Sequence, residues 1–134
     1  MFSRDWIKRN LDVVESHIMN EARDPDSVLG LYTDDIVQAF PSRGLVFNSK
    51  ASIADNYRKI FSSMENVELE PLERFATRDR VFDDMIVRFT LISDGLEGLD
   101  IPIGSRVQLR LVHIFHMRGG LIAREIVHEH YSII

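Results

Sequence analysis

One histidine sits where its neighbours are apolar. In Val107, Leu109, Leu111, His113, Phe115 and Met117, His113 is the single polar member, while Arg106, Gln108 and Arg110 between them are polar. Residues two apart on a strand share a face, so His113 is expected to point into a core. An imidazole titrates near neutrality, and beside a carboxylate it can give and take protons. Glu125 is the candidate partner. A three-residue hairpin loop, Arg118-Gly119-Gly120 with Gly120 left-handed, pairs Met117 with Leu121 and sets Glu125 opposite His113. A two-residue loop puts Ile126 there instead and turns Glu125 outward. The structural alternative is a histidine hydrogen-bonded inside a core and a glutamate salt-bridged on its strand.

Other polar groups carry less. His17 lies one position from an apolar helical stripe, at a pocket edge or in water. Tyr32 and Tyr57 fall on helical faces that should close the core, where a buried ring needs a partner for its hydroxyl. Asp34 and Asp35 are adjacent and point apart, so they read as a turn rather than an acid pair. His128 and His130 share one side of a strand, and His116 could add a third imidazole. No acidic or Cys ligand stands at a standard spacing, so no metal is expected. No glycine-rich phosphate loop or nucleophile elbow is present.

The elements that must position these groups follow from periodicity. Ile7, Leu11, Val14, Ile18 and Ala22 mark a first helix, with Ser3 as its N-cap. Pro25 opens a short second helix to about Tyr32. Ile36–Phe40 is a strand stopped by Pro41, and Leu45–Phe47 returns. Asn48 or Ser49 caps a third helix, with Ile53, Tyr57, Ile60, Phe61 and Met64 on one face. Four long strands follow: Val67–Thr77 with a bulge at Pro71, Arg80–Ser93, Arg106–Met117 and Leu121–Tyr131. The stretch 94–104 is a loop. Early helices and late strands predict an α+β fold, with the three helices of the N-terminal half closing a pocket on a cone-shaped, curved mixed or antiparallel sheet.

Composition bounds the function. The chain has 134 residues, 45% of them hydrophobic and 28% charged, with net charge −5 and no cysteine. One domain, 1–134, is expected. Disulfide scaffolds, thiolate zinc sites and iron–sulfur clusters are excluded. No basic stripe suggests a nucleic-acid partner, and no apolar run suggests a membrane one. A cytoplasmic protein is the default expectation.

Several stretches together resemble the nuclear transport factor 2-like superfamily. They are Asp24-Pro25-Asp26 through Leu31-Tyr32-Thr33-Asp34-Asp35-Ile36, then Phe40-Pro41, Gly44 and a helix. The ending Val112-His113-Ile114-Phe115 with Gly119-Gly120-Leu121-Ile122 is similar to its SnoaL-like branch. The resemblance implies a cone-shaped α+β fold that is usually dimeric. It also implies a range of activities: ketosteroid isomerases, polyketide cyclases, dehydratases and epoxide hydrolases, so fold leaves function open. Overlaid on the ketosteroid isomerases, the base falls on Phe40, the helical Tyr near Ser16 beside His17, and the oxyanion Asp on His113. None of the three is kept, so steroid isomerisation is not expected. The cyclase Asp of the last strand falls on Val127, with Glu125 two residues before, which departs from cyclases too.

The resulting expectation is acid–base isomerisation, cyclisation or dehydration of a small apolar ring-containing molecule, without a cofactor. His113 and Glu125 would be the catalytic pair, with His17, Tyr32, Phe40, Tyr57, Phe89 and Phe115 lining the ligand. The alternative is a non-catalytic ligand-binding or interaction module with a filled cone. A cavity of roughly 300 Å³ would admit a drug-sized ligand. A homodimer is expected through the outer sheet face, where Val112, Ile114, Ile122 and Ile126 need cover.

Overall fold

The stripe of Ile7, Leu11, Val14 and Ile18 runs along helix α1, Ser3–Asn20, and buries Val14 and Ile18 against the sheet. The computed structural model describes residues 2–134, with Ser3 described by its backbone alone. The N-cap position is Phe2 rather than Ser3, whose side chain lies outside the described residues. The helix stops at Asn20, so Ala22 is exposed beyond its end instead of continuing the stripe. Pro25 starts a 3-10 helix, Pro25–Leu31, and Tyr32 already belongs to the next strand.

Strand β1 runs Tyr32–Phe40, longer than its hydrophobic run. Asp34 and Asp35 lie inside it and not in a turn; both are exposed where its pairing shifts register between Tyr32 and Val37. Pro41 ends the strand, Gly44 turns at φ 66°, and β2 (Leu45–Phe47) folds back. Helix α2, Lys50–Ser62, is capped by Ser49, whose hydroxyl accepts from the Ser52 amide. Strands β3 (Met64–Ala76), β4 (Arg80–Leu91), β5 (Arg106–Arg118) and β6 (Leu121–Ile133) complete the chain. β3 shifts register between Pro71 and Glu73, as a proline in a ladder demands.

The six strands form one curved, unclosed sheet in the order β2-β1-β6-β5-β4-β3. All neighbours are antiparallel except β1 and β6. That parallel pair sets Gln38 beside Glu125. With α1 and α2 packed on one face, this is the α+β cone.

The β5–β6 hairpin corrects the expected register. Its loop has two residues, Gly119 and Gly120, at φ 61° and 76°, a turn that needs two left-handed positions. Arg118 pairs with Leu121 and Met117 with Ile122; a bulge then inserts Ala123 before Arg124 meets His116. The extra residue reverses the inside–outside phase once. Ile122 therefore faces the core rather than the outer surface. Glu125 remains inward but stands opposite Phe115, and Val127 stands opposite His113.

Candidate active site

Three elements bring the polar groups together inside the cone. On β5, His113 is 5% exposed, and on β6, Glu125 is 1% exposed. From α1, His17 is fully buried, not solvated: position 17 is three residues after Val14, on the same helical face. These groups sit among apolar walls, and a buried charge survives there only with partners.

Glu125 has several. Gln38 Nε2 donates to its Oε2, and Tyr57 Oη donates to the same oxygen at 3.1 Å. His17 Nε2 lies 3.4 Å from Oε1. Gln38 Nε2 also donates to Tyr57 Oη at 2.7 Å. Tyr32 Oη sits 2.6 Å from His17 Nε2 and 3.3 Å from Tyr57 Oη. Burial holds both tyrosine hydroxyls well above the ordinary 10, and the Glu125 charge adds to it, so they stay protonated and available as donors.

His113 has a different anchor. Its Nδ1 lies 3.3 Å from Asp83 Oδ2, and Arg74 Nε donates to Asp83 Oδ1 at 2.8 Å. Burial pulls the imidazole pKa down, but Asp83, Glu125 and Glu21 outweigh it and hold it above 6.5. Asp83 responds in kind: burial raises its carboxyl, yet bonds from His113 and Arg74 bring it below 3.8. His17 is likewise raised, because Glu21 and Glu125 overcome desolvation. Phe115 separates the two imidazoles, stacked on His113 at 5.5 Å and edge-on to His17 at 5.7 Å.

The cavity beside them holds about 110 Å³. His113, Glu125, Tyr57 and Phe40 line it, together with Gln38 and Glu21. His17 and Tyr32 stand behind the lining, and Phe89 and Phe115 are buried in the core beneath it. The cone is therefore open but well short of a drug-sized pocket of roughly 300 Å³. At its far side Arg43 Nε donates to Glu129 Oε1 at 2.9 Å, and Arg43 covers the Phe40 ring at 4.8 Å. His128 and His130 are exposed on the opposite face, and no cluster able to hold a metal occurs among the described residues.

Sequence reasoning missed Asp83, Gln38 and Glu21. The first two had a readable signal. Val81, Asp83, Met85, Val87 and Phe89 alternate as the β5 residues do, with one polar member, and Ile36, Gln38 and Phe40 repeat the pattern. Glu21 is four residues after His17, within reach on a helix.

A family model described as SnoaL-like domain matches residues 13–125. The chain belongs to the SnoaL-like family. The match runs from within α1 to Glu125 and so contains every polar group of the cone named above except Glu129, the partner of Arg43. No curated protein matches this SnoaL-like chain. Solved structures share its fold at low identity. An LEH-like epoxide hydrolase of M. tuberculosis superposes with TM-score 0.69 and 16% identity, over 92% of this chain and 84% of its own. An epoxide hydrolase/cyclase-like enzyme of pyran ring formation in polyether salinomycin gives 0.74 and 16%, over 95% and 97%. A phenazine biosynthesis-related protein of Pseudomonas aeruginosa gives 0.76 and 13%, over 97% and 80%. No helix among the described residues is long and apolar enough to cross a membrane.

Proposed function

We propose that this SnoaL-like protein is a cofactor-independent acid–base enzyme acting on a small, neutral, mostly apolar molecule in the cone. One observation carries the reading: a carboxylate and an imidazole, Glu125 and His113, line the same apolar cavity, each held by its own set of partners. Glu125 takes a proton, from carbon or from an attacking water or hydroxyl. His113, protonated and oriented by Asp83, supplies one to the departing or developing oxygen. Isomerisation, cyclisation, dehydration and epoxide opening all use this pairing, and the structural relatives named for epoxide and cyclisation chemistry support it. The phenylalanine at position 40 leaves no carboxylate where the ketosteroid isomerases place theirs.

Charge balance favours a neutral ligand. Glu21, Glu125, Asp83 and Glu129 are matched by His17, His113, Arg74 and Arg43. Volume favours a small one: an engineered cavity of about 150 Å³ takes a single benzene ring. The test is a panel of small epoxides, β-hydroxy ketones and unsaturated ketones, assayed with the wild type, Glu125→Gln and His113→Gln. Each substitution should lower kcat by roughly 10²–10⁴-fold. Turnover that survives both substitutions removes the pair from the mechanism.

A second reading has its own support. Both donors on Glu125 come from the protein, as they would in a structural carboxylate, so a non-catalytic ligand site fits the same geometry. Saturable binding of a panel compound with no conversion identifies it. The same proposal places the protein in the cytoplasm, checked by imaging a tagged chain. It also makes the protein a homodimer through the outer sheet face. Phe75 stacks on Phe82 at 4.8 Å there, and Phe82, Ile114, Ile126, Ala39 and Val46 continue one apolar row across the sheet. Sedimentation should show a dimer at micromolar concentration, and a monomer for Ile114→Asp.

A further inference from the structure

Glu125 is almost sealed from water, at 1% exposure, so a proton left on it needs a route out. A connected one lies behind it. Tyr57 Oη is 3.1 Å from Glu125 Oε2 and 3.2 Å from His17 Nε2, while Nε2 itself is 3.4 Å from Glu125 Oε1. Tyr32 Oη, 2.6 Å from Nε2, holds the ring from the other side. The opposite ring nitrogen, Nδ1, lies 2.9 Å from Glu21 Oε2. That contact is close in distance but makes no aligned hydrogen bond, leaving Nδ1 without one. Glu21 caps the end of α1 and keeps 16% of its side chain exposed, whereas His17 keeps none.

We propose that Glu21, His17 and Tyr57 form a proton relay connecting buried Glu125 with water at the end of α1. The inference rests on the reading of Glu125 as the base and assigns residues that act behind it. His17 and Tyr57 are positioning residues in this scheme, since neither has to touch the reacting atoms to pass the proton.

The relay starts with Glu125 neutral after accepting a proton, Glu21 a carboxylate, and the His17 ring neutral with its proton on Nδ1 and its lone pair on Nε2. Glu125 gives its proton to Nε2, directly or as Tyr57 passes its own proton on and receives the carboxyl proton, and the ring becomes an imidazolium. Nδ1 then gives its proton to Glu21 across the 2.9 Å contact, and Glu21 releases it to water. One proton has left Glu125 and one has entered solvent, and the ring is left neutral with its proton on Nε2. The opposite passage, from Glu21 to Nδ1 and from Nε2 to Glu125, returns a proton to Glu125 and restores the first tautomer, so release and re-uptake alternate. No ring rotation is needed, because the two nitrogens face the two carboxylates.

The groups facing His17 come from every packed element: Glu21 from α1, Tyr32 from β1, Tyr57 from α2, Phe115 from β5 and Glu125 from β6. Asp83 of β4 adds a more distant negative charge. Carboxylates on both sides of the ring stabilise the imidazolium that forms as the proton passes, against the burial that disfavours it.

The test reads proton exchange between the His17 ring and water by nitrogen-resolved NMR of the full-length, histidine-labelled protein without ligand. In Glu21→Gln, exchange at His17 should slow at least tenfold while the backbone amide spectrum stays that of the wild type. In Glu21→Ala, added formate should restore much of the lost rate by occupying the vacated space, and Glu21→Asp should fall between. An unchanged rate in Glu21→Gln overturns the relay. So does a slowed rate that formate cannot rescue, because Glu21 would then be holding structure alone. No turnover is measured, so the outcome is separate from that of the panel assay: Glu125→Gln can abolish catalysis while His17 exchange proves independent of Glu21, and only the relay then fails.

Discussion

Removing one oxygen, with Tyr57→Phe, gives the sharpest test of how the polar cluster is held. The ring stays and continues to pack, so no cavity opens. The hydroxyl accepts from Gln38 at 2.7 Å and donates to Glu125 at 3.1 Å. A bond to a charged group contributes roughly 1.5–3 kcal/mol and a neutral one about 1 kcal/mol. Gln38 keeps its second bond, to Glu125, which limits its share. The expected loss is about 3 kcal/mol. At this chain length roughly 4 °C of Tm accompanies each kcal/mol, so Tm should fall by about 12 °C. Urea unfolding followed by fluorescence, with an unchanged slope, measures the loss directly. A variant within about 0.5 kcal/mol of the wild type, or a stabilised one, refutes the reasoning. The network would then be a strained arrangement kept at the expense of stability, and the buried hydroxyl would contribute nothing to holding Glu125.

Stability should decline as pH rises through neutrality. His17 and His113 titrate above 6.5 in the folded state, so their contribution is full below 6.5 and disappears as pH passes their folded values. Asp83, lowered from 3.8, contributes above that value and loses its contribution as pH falls through its folded one. Tm should therefore peak between about pH 4 and 6.5 and fall toward pH 9, and a Tm that climbs from pH 6 to 8 contradicts the assignment. His116, lowered by burial and by Arg80 and Arg124, opposes this trend from a more exposed position. Asp83→Asn should cost about 3 kcal/mol in urea, since it leaves two cationic partners without their shared carboxylate. It should also lower the His113 midpoint in an NMR titration, and an unmoved midpoint would show that Asp83 does not hold the ring. Gly95→Ala should destabilise by roughly 2–3 kcal/mol, because a Cβ there falls on Ser63 Oγ and the Lys59 carbonyl. Gly30→Ala, with nothing within 4 Å, serves as the neutral comparison, and equal melting temperatures would show that the contact yields.

Long-period features were legible in the sequence. The order of elements, the cone and the inward aim of His113 follow from alternation and helical spacing that burial enforces over many residues. Local exceptions were not. The bulge at Ala123 has no composition signal, since alanine fits either side of a strand, yet it decides that Ile122 points in and that Glu125 stays in. Asp34 and Asp35 read as a turn because their charges suit water, and they do reach it, from an irregular strand rather than a loop. His17 was ambiguous because a helical face has no sharp edge: only the tertiary environment, with Tyr32 and Glu125 arriving from distant strands, makes that position interior. Asp83 and Gln38 were available to the same alternation argument that found His113 and needed only two more steps along their strands.

The parallel pairing of β1 with β6 has a consequence for assembly in time. Gln38 and Glu125 are 87 residues apart in the chain, and Tyr57 and Glu125 are 68 apart. During synthesis β1 waits with one edge open until the last strand emerges, and the acid site has no carboxylate at its centre until then. Contacts of such span slow the search for the native state and leave intermediates with uncovered strand edges. A chain stalled before β6 thus lacks Glu125 and is prone to stick, so completion of the polar cluster and cover for the open strand edge depend on the same final strand.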